Sequence, residues 1–319
     1  MLRDIIVLQG KLWLILNPKP TLHMTGAAKM TAENRPYRSV LYIPGSKTRA
    51  LEKAQTLSTD GIIFDLEDAV APEAKAEARG HVADALRDLN YGNRALLVRI
   101  NGFETEWAMD DLAAILPAGP ESILLPKVYG AADIEKLAEI LDGAENCAHT
   151  KIWAMMETPL SMLNAREIAA APRMAGMVLG SNDLIKDLGA QTDPARTALQ
   201  ASIGLCLLAA RAYGLICIDG VYNAFKDVDG LQVELDHGRM MGFDGKSLLH
   251  PDQLAPTNTA YRPSEAEIEL AKRQMAAFKE AEESGKGIAV LDGKIVENLH
   301  IVTARALLAK ADAIAASET

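Results

Sequence analysis

Residues 151–183 read KIWAMMETPLSMLNAREIAAAPRMAGMVLGSND. Two apolar, strand-like runs in this stretch lead into acids: Glu157 closes the run 152–156, and Asp183 follows the run 177–182. The spacing between the two acids is about one βα unit. In a parallel barrel the carboxyl ends of the strands share one rim, where catalytic residues collect. The stretch therefore predicts a βα repeat with two carboxylates converging on one rim.

The same alternation of β-rich runs and helical patterns continues from Arg38 onward. In residues 131–141, for example, apolar residues recur at helical spacing. Eight such units in roughly 210 residues predict a (β/α)₈ TIM barrel. An open, doubly wound sheet also alternates, but no G-x-G-x-x-G follows the first run. The predicted strands are residues 39–43, 61–65, 95–100, 122–126, 151–156, 174–179, 215–219 and 243–248.

Capping residues, prolines and a turn motif predict where helices start and predict a C-terminal extension. Thr158 and Asp193 each precede a proline, which predicts helix N-caps at both positions. Ser264 begins a capping box that opens a helix to about residue 283. A small hairpin follows at 287–296, with Asp292-Gly293 as a type I′ turn, and then a helix at 298–316. This extension has apolar faces that must pack on its own barrel or on a neighbour.

The composition excludes several classes of partner. Hydrophobic residues make up 49% of the 319-residue chain, and the net charge is −10 without any Lys/Arg block. Nucleic acid and anionic membranes are therefore not expected as partners. The three cysteines form no C-x-x-C motif, which argues against a disulfide framework or a zinc site. A reducing cytoplasm is the expected location.

Residues 1–34 do not fit the barrel pattern. Their apolar runs, 5–8 and 12–16, are interrupted by Gln9-Gly10-Lys11 and are too short to span a membrane. A cleaved signal peptide is one interpretation, but the apolar region is broken and no clear cleavage site follows. We favour a disordered leader or an upstream start, with Met24 or Met30 as the functional start. The predicted division is a leader at 1–34, a barrel at 35–262 and an extension at 263–319.

Glu157 and Asp183 have the chemistry of a magnesium site. Mg²⁺ requires near-octahedral oxygen coordination and is commonly held by one or two carboxylates together with waters and substrate. The alternative is that both acids cap the helices that follow them, because acids are favoured at helix N-termini. Spacing alone leaves both interpretations open.

Arg99 also ends a predicted strand. Its guanidinium could hold a carboxylate or a thioester carbonyl that gains negative charge, or it could simply pair with Glu67 or Asp68 at the rim. The acidic cluster Asp65, Glu67 and Asp68 either orients Arg99 and Lys127 or raises a carboxyl pKa for proton transfer. We favour the supporting role for these acids and for Lys127.

The first predicted strand leads through residues 44–46 into a helix that starts near Lys47. Free N–H groups there, with Lys47, Arg49 and Lys53 close by, could receive a phosphate, although a solvated basic helix face looks the same. His250, at the end of the eighth strand, is more often structural than catalytic in such a position.

Several motifs together are highly specific for one family. They are LYIPGS at 41–46, FDLEDAV at 64–70, VRIN at 98–101, MET at 156–158, GSNDL at 180–184 and GFDGKS at 242–247. The chain thereby resembles, over about residues 38–315, the citrate lyase β-subunit-like, malyl-CoA lyase group of the HpcH/HpaI aldolase superfamily. The stretches DGVYNAF at 219–225 and DGKIVENLH at 292–300 look most like its (3S)-malyl-CoA thioesterase branch.

The resemblance implies a set of site residues. Glu157 and Asp183 would bind Mg²⁺, with Mn²⁺ as the alternative ion, and Arg99 would contact the acyl group. Asn182 and Asp183 would present backbone groups to the substrate. The residues implied to line the CoA and substrate site are Tyr42, Lys47, Lys53, Leu249 and His250. Lys47 stands at a position where relatives often carry arginine. Lysine keeps the positive charge but lacks the planar guanidinium that binds an anion through two parallel hydrogen bonds.

The resemblance also implies a homo-oligomer, a trimer or hexamer, in which the extension packs on a neighbouring subunit. Asp292 would reach the neighbour's active site as the catalytic acid/base, which reverses its default interpretation as a simple turn residue. The expected reaction is hydrolysis of (3S)-malyl-CoA, with Asp292 activating water and Arg99 stabilising the oxyanion.

Three alternative functions stay open at this point. The first is a malyl-CoA or citramalyl-CoA lyase that releases glyoxylate or pyruvate and acetyl-CoA. The second is a citrate lyase β-like subunit acting on a carrier-bound thioester. The third is a metal-dependent aldolase that acts on pyruvate without CoA.

Overall fold

Eight parallel strands close into a barrel in chain order, with β1 hydrogen-bonded to both β2 and β8. The computed structural model describes residues 35–285 and 288–318. The barrel strands are β1 (Ser39–Pro44), β2 (Gly61–Asp65), β3 (Ala95–Arg99), β4 (Ser122–Leu125), β5 (Lys151–Met156), β6 (Met174–Leu179), β7 (Ile216–Asp219) and β8 (Gly245–Leu248). The predicted (β/α)₈ barrel is confirmed, with strand ends shifted by two residues at most.

Helices connect the strands and continue into the C-terminal extension. The helices of the barrel are α1 (Thr48–Ala54), α2 (Lys75–Asp88), α3 (Ala108–Ile115), α4 (Ala131–Asp142), α5 (Pro159–Leu163), α6 (Ala165–Ala170), α7 (Ser181–Leu188), α8 (Gln200–Ala212), α9 (Val228–Met241) and α10 (Leu254–Ala260). The extension consists of α11 (Glu265–Glu283), β9 (Ala289–Leu291), β10 (Lys294–Val296) and α12 (Asn298–Ser317). Among the described residues, every helix is too short or too polar to span a bilayer.

The strands divide their side chains between two separate apolar clusters. On β1, Val40 and Tyr42 belong to one cluster with residues such as Trp153 of β5, whereas Leu41 and Ile43 belong to the larger one shared with the helices. This alternation follows the period of two along a strand. Because both faces are buried, the strands read as nearly continuous apolar runs, which is typical of parallel sheets.

Helix starts were predicted correctly at two of the three proposed caps. Thr158 and Ser264 each accept a backbone N–H in a capping box. The prediction at Asp193 is wrong: its carboxylate accepts the N–H of Thr197 in an irregular turn, and α8 begins only at Gln200. Arg196 interrupts this segment, with a left-handed φ of 52° and a side chain tied to the buried Asp219.

The predicted helix, hairpin and helix of the extension are present. At the hairpin turn, Asp292 and Gly293 both have positive φ, 51° and 75°, as a type I′ turn requires. Near the end of α12, Glu318 pairs with Arg38 at the start of β1 and with Arg262. The boundaries at residues 262 and 263, and packing on a neighbour, stay predictions, and the leader at 1–34 lies outside the described residues.

Candidate active site

Glu157 and Asp183 lie at the ends of the paired strands β5 and β6. Glu157 is 1% exposed, and Asp183 sits in the first turn of α7. Lys127 joins them: its Nζ lies 2.7 Å from Asp183 Oδ1 and 3.4 Å from Glu157 Oε1. Neither acid makes a side-chain cap hydrogen bond, although Asp183 lies in the first turn of α7, where the helix dipole favours an acid. The carboxylates therefore converge on the rim, as the sequence predicts.

Lys127 holds both carboxylates through different groups. Its left-handed backbone, with φ of 50°, directs its N–H to Glu157 Oε1 at 2.7 Å, while its ammonium pairs with Asp183. Burial lowers the pKa of Lys127, but the hydrogen bond to Asp183 and the charge of Glu157 outweigh burial and raise it. Lys127 is therefore a fixed positive charge beside the two acids.

Glu157 retains one oxygen for a further ligand. Burial raises the pKa of its carboxyl, against the lowering effect of Lys127. Its Oε2 is buried and, among the described residues, has no hydrogen-bond partner, which is uncommon for a carboxylate oxygen and suits coordination to a cation. No group of three or more His, Cys, Asp and Glu side chains in residues 35–285 and 288–318 is placed to hold a metal. A cation on Glu157 and Asp183 would thus need further ligands from substrate or water.

Gly180 makes room for the Glu157 side chain. A Cβ on Gly180 would lie 2.3 Å from Glu157 Cβ and 2.9 Å from its Oε2. Gly180 N also donates to Met156 O at 2.9 Å, so the backbones of the two neighbouring strand ends are tied together. The glycine is required here by close approach rather than by its φ angle.

Arg99, at the end of β3, is held by two acids. Asp65 binds it in a two-pronged pair, with Nε–Oδ1 at 2.7 Å and Nη2–Oδ2 at 2.6 Å. Glu67 Oε2 lies 2.7 Å from Nη1 as an ion-pair contact whose geometry is not that of a hydrogen bond. Asp68 is more distant, at 3.7 Å. The acidic cluster thus orients Arg99, as one interpretation predicted, but not Lys127, which is held by Glu157 and Asp183 instead.

Glu67 adds a second feature to that cluster. Burial raises the pKa of its carboxyl to about 8; Arg99 opposes the shift and Glu157 adds to it. The cluster therefore orients an arginine and contains a carboxyl with a raised pKa. A role of this carboxyl in proton transfer, as the second interpretation has it, stays a prediction.

The residues expected to line the CoA site divide into two environments. Tyr42 is buried inside the barrel, with the Arg99 guanidinium 4.8 Å from its ring centre. Lys47 and Lys53 are exposed at the two ends of α1. Leu249 and His250 follow β8, the neighbour of β1, and His250 stacks on Phe225 with ring centres 4.4 Å apart. Tyr42 therefore lies against Arg99 inside the barrel, and its place in the CoA and substrate site stays a prediction.

Asn182 makes a contact that the sequence analysis missed. Its side-chain amide and that of Asn223 exchange two hydrogen bonds, at 2.8 and 3.2 Å, which tie the loop after β7 to the start of α7. Asn223 lies within the DGVYNAF motif, whose sequence alone predicts no role for it. An amide pair between distant loops has no local pattern in the sequence.

A buried ionic cluster behind β7 was also missed. Asp219 pairs with Arg196 at 2.6 Å and with Lys246 at 3.2 Å, and Glu234 lies 3.5 Å from each of the two cations. Burial raises the pKa of Asp219, but Lys246 and Arg196 outweigh it and lower the pKa. A cavity of about 440 Å³ adjoins this cluster, between Asn182 and Glu234. The feature of the sequence that could have indicated this cluster is Lys246, a charged residue inside a predicted strand.

Asp292 is exposed at the tip of the β9–β10 hairpin, where it pairs with Arg273 of α11. Within the described part of the chain, no hydrogen bond or ion pair links it to Arg99 or Lys127. The structure of one chain thus brings together Arg99, Glu157 and Asp183 with their supporting residues, while Asp292 stands apart from them.

Comparison with known proteins identifies the family. Residues 38–251 match the family described as HpcH/HpaI aldolase/citrate lyase. The chain is 59% identical to a (3S)-malyl-CoA thioesterase of Cereibacter sphaeroides, and the match covers 90% of this chain and 99% of the relative. It is 35% identical to citrate lyase subunit beta of Leuconostoc mesenteroides, and that match covers 86% of this chain and 93% of the relative. A solved structure of CitE from Mycobacterium tuberculosis with magnesium, acetoacetate and coenzyme A matches at 31% identity and a TM-score of 0.72, covering 88% of this chain and 99% of that one. The chain therefore belongs to the HpcH/HpaI aldolase/citrate lyase family.

Proposed function

We propose that the chain is a Mg²⁺-dependent thioesterase that hydrolyses (3S)-malyl-CoA to malate and CoA. The observation that carries the proposal is the convergence of Glu157 and Asp183, through Lys127, on the rim of the barrel. The relative at 59% identity is a (3S)-malyl-CoA thioesterase, and it is matched over 99% of its length. The related M. tuberculosis structure contains magnesium and coenzyme A.

The residues of this chain fit a hard cation. Glu157 and Asp183 are oxygen donors, and Glu157 Oε2 is buried with no hydrogen-bond partner in residues 35–285 and 288–318. When bound, Mg²⁺ would supply an anchor for the hydroxyl and carboxylate oxygens of the 2-hydroxy-acid end of the substrate. Mn²⁺ prefers similar ligands and is the alternative ion. Backbone groups of Asn182 and Asp183, at the start of α7, would meet the substrate carboxylate.

Arg99 is positioned to stabilise negative charge on the thioester oxygen. Asp65 fixes two of its nitrogens, so the guanidinium does not need to reorganise during the reaction. Burial raises the pKa of the Glu67 carboxyl to about 8, which weakens its compensation of the Arg99 charge. The guanidinium keeps donor capacity for an oxyanion, and the exposed Lys47 and Lys53, with Leu249 and His250, would hold the CoA portion.

Asp292 would act in the active site of a neighbouring copy, as the base that activates water. Its side chain is 58% exposed at a hairpin tip, and no hydrogen bond or ion pair within the residues that the structure describes links it to the site of its own chain. Large apolar side chains around the hairpin are also exposed, as expected of a surface that another subunit covers. They are Ile288, Val290, Ile295, Leu299 and Val302. Copies related in this head-to-tail manner would close into a ring, such as a trimer, or a hexamer of two rings.

The product assay tests the proposed reaction. With (3S)-malyl-CoA and Mg²⁺, we expect free CoA thiol and malate in equal amounts. The second candidate is a lyase, which the relatedness to citrate lyase subunit beta favours. It would give acetyl-CoA with glyoxylate from malyl-CoA, or with pyruvate from citramalyl-CoA. Glyoxylate formed in step with substrate loss, without thiol, would exclude the thioesterase, and turnover only of a carrier-bound thioester would indicate a citrate lyase-like subunit.

The metal role is tested by Glu157→Ala. Turnover that depends on Mg²⁺ should vanish, while the circular dichroism spectrum stays that of the parent. Glu139→Ala, the same change at an exposed position of α4, should keep full activity. Full activity of the parent protein in EDTA would contradict the metal assignment.

The three buried free cysteines, Cys147, Cys206 and Cys217, suit the reducing cytoplasm that we propose as the location.

A further inference from the structure

Lys127 engages one oxygen of each proposed metal ligand. Its backbone N–H donates a hydrogen bond to Glu157 Oε1 at 2.7 Å, and its ammonium forms an ion pair with Asp183 Oδ1 at 2.7 Å. Within the described part of the chain, the second oxygen of Glu157 is buried without a hydrogen-bond partner. Lys127 thus orients both carboxylates and leaves oxygens for a cation, but it also brings its own positive charge to the same place.

The charges around Glu157 and Asp183 indicate how the Lys127 ammonium affects the binding of a cation. Glu157 and Asp183 contribute two negative charges when ionised, and Lys127 returns one positive charge at contact distance. Arg99, the next cation that acts on Glu157, is compensated by Asp65. The proposed ligands and Lys127 therefore sum to about one negative charge, facing an ion of two positive charges. An ammonium within a few ångströms of a divalent ion disfavours its binding strongly in a partly buried site.

We propose that Lys127 couples metal binding to substrate binding: its ammonium keeps the affinity for Mg²⁺ low until a 2-hydroxy acid adds its own carboxylate. The substrate then supplies the missing negative charge together with two oxygen ligands. Metal and acid should each tighten the binding of the other by the same factor, as linkage requires. This inference rests on the proposed metal role of Glu157 and Asp183 and assigns Lys127 as a positioning residue.

Calorimetry separates this role from a purely structural one. Mg²⁺ is titrated into the full-length protein alone and in saturating L-malate. For the wild type, malate should tighten Mg²⁺ binding at least about tenfold. Lys127→Met should bind Mg²⁺ alone at least about tenfold more tightly than the wild type, because the opposing charge is gone, and malate should then add less than about threefold. Lys127→Arg keeps the charge and should keep the coupling. Lys279→Met removes an exposed charge on α11 and should behave as the wild type.

The outcomes are distinct. If the wild type binds no Mg²⁺ with or without malate, the proposed metal site itself fails. If it binds Mg²⁺ equally in both conditions, or if Lys127→Met binds Mg²⁺ no more tightly than the wild type, the role of Lys127 is overturned while the metal site stands. Melting temperature and circular dichroism check that the variants fold. Should Lys127→Met not fold, Lys127→Gln carries the same comparison, because its amide is neutral but still donates hydrogen bonds.

Discussion

Arg99 and Asp65 form a buried, two-pronged ion pair at the ends of adjacent strands, with nitrogen to oxygen distances of 2.7 and 2.6 Å. The pair sets the orientation of the guanidinium that we assign to the thioester oxygen. Because both groups are almost completely buried, each depends on the other for charge compensation. The proposed catalytic arginine is therefore also part of the barrel structure.

Removing Asp65 should consequently cost stability. We expect Asp65→Asn to lower the free energy of unfolding by about 3–5 kcal/mol, since it leaves a buried cation with one partner fewer. Urea denaturation measures the change. Asp68→Asn is the matched control, because Asp68 is exposed and 3.7 Å from Arg99, and it should cost less than about 0.5 kcal/mol. Equal losses in the two variants would show that the Asp65 pair is not special.

Glu67 should make stability depend on pH. Its pKa is about 8 in the folded protein against an ordinary value of 4.5, so the folded state binds a proton that the unfolded state releases. The stabilising contribution is complete below pH 4.5 and is lost as the pH rises towards 8. We expect unfolding free energies, measured between about pH 5 and pH 8, to fall less in Glu67→Gln than in the wild type. Glu139→Gln on the surface should leave the wild-type dependence unchanged, and an unchanged dependence in Glu67→Gln would refute the assignment.

Gly180 should be intolerant of any side chain. Gly180→Ala would force a Cβ to within 2.3 Å of Glu157 Cβ, so we expect weaker Mg²⁺ binding and turnover reduced at least about tenfold. Calorimetry and the thiol assay report the two effects. Gly204→Ala, within α8, is the control: apart from the backbone of its own helix, nothing in the described residues lies within 4 Å of the added Cβ. It should stabilise the protein by about 0.5–1 kcal/mol. Normal metal binding by Gly180→Ala would disprove the steric argument.

Asp292 should be needed for turnover but not for folding. Asp292→Asn suits the left-handed backbone at this position, because asparagine tolerates positive φ, so the hairpin should persist. We expect substrate binding to be kept and kcat to collapse. Asp312→Asn, the same change at an exposed position of α12, should have no effect.

A mixing experiment decides whether Asp292 serves a neighbouring copy. Inactive Glu157→Ala and Asp292→Asn chains are combined under conditions that allow subunit exchange. Some mixed sites would then contain an intact Glu157 from one chain and an intact Asp292 from the other, and activity should partly return. If labelled subunits exchange and no activity appears, each chain uses its own Asp292.

Much of the barrel was predictable because its signals are local. Each strand is a short apolar run, and the acids at positions 157 and 183 mark the rim because each comes at or just after the end of a strand. Thr158 and Ser264 cap their helices through side chains that bond within the next turn. The helix cap predicted at Asp193 was wrong because this residue has the same local pattern as Thr158, while the path of the chain there is set by the ion pair of Arg196 with the distant Asp219.

The missed parts of the site join residues that are far apart in the chain. Asn182 and Asn223 are 41 positions apart, and Lys246 pairs with an acid 27 positions away. The supporting role of Lys127 stays a prediction, and its observed partners depend on a left-handed backbone that no residue type at that position predicts. Local patterns therefore predicted which side chains reach the rim, but not which of them would pair.

The buried cluster around Asp219 determines how the protein should respond to ionic strength. Asp219 and Lys246 have no exposed side-chain surface, so dissolved ions cannot come between them. Lys127 and Asp183, by contrast, are 23% and 26% exposed. Salt shortens the reach of exposed charges to about 3 Å at 1 M and affects buried pairs much less. Concentrated salt should therefore weaken the ion pair of Lys127 and Asp183 at the proposed metal site, while the ion pair of Asp219 and Lys246 keeps its strength.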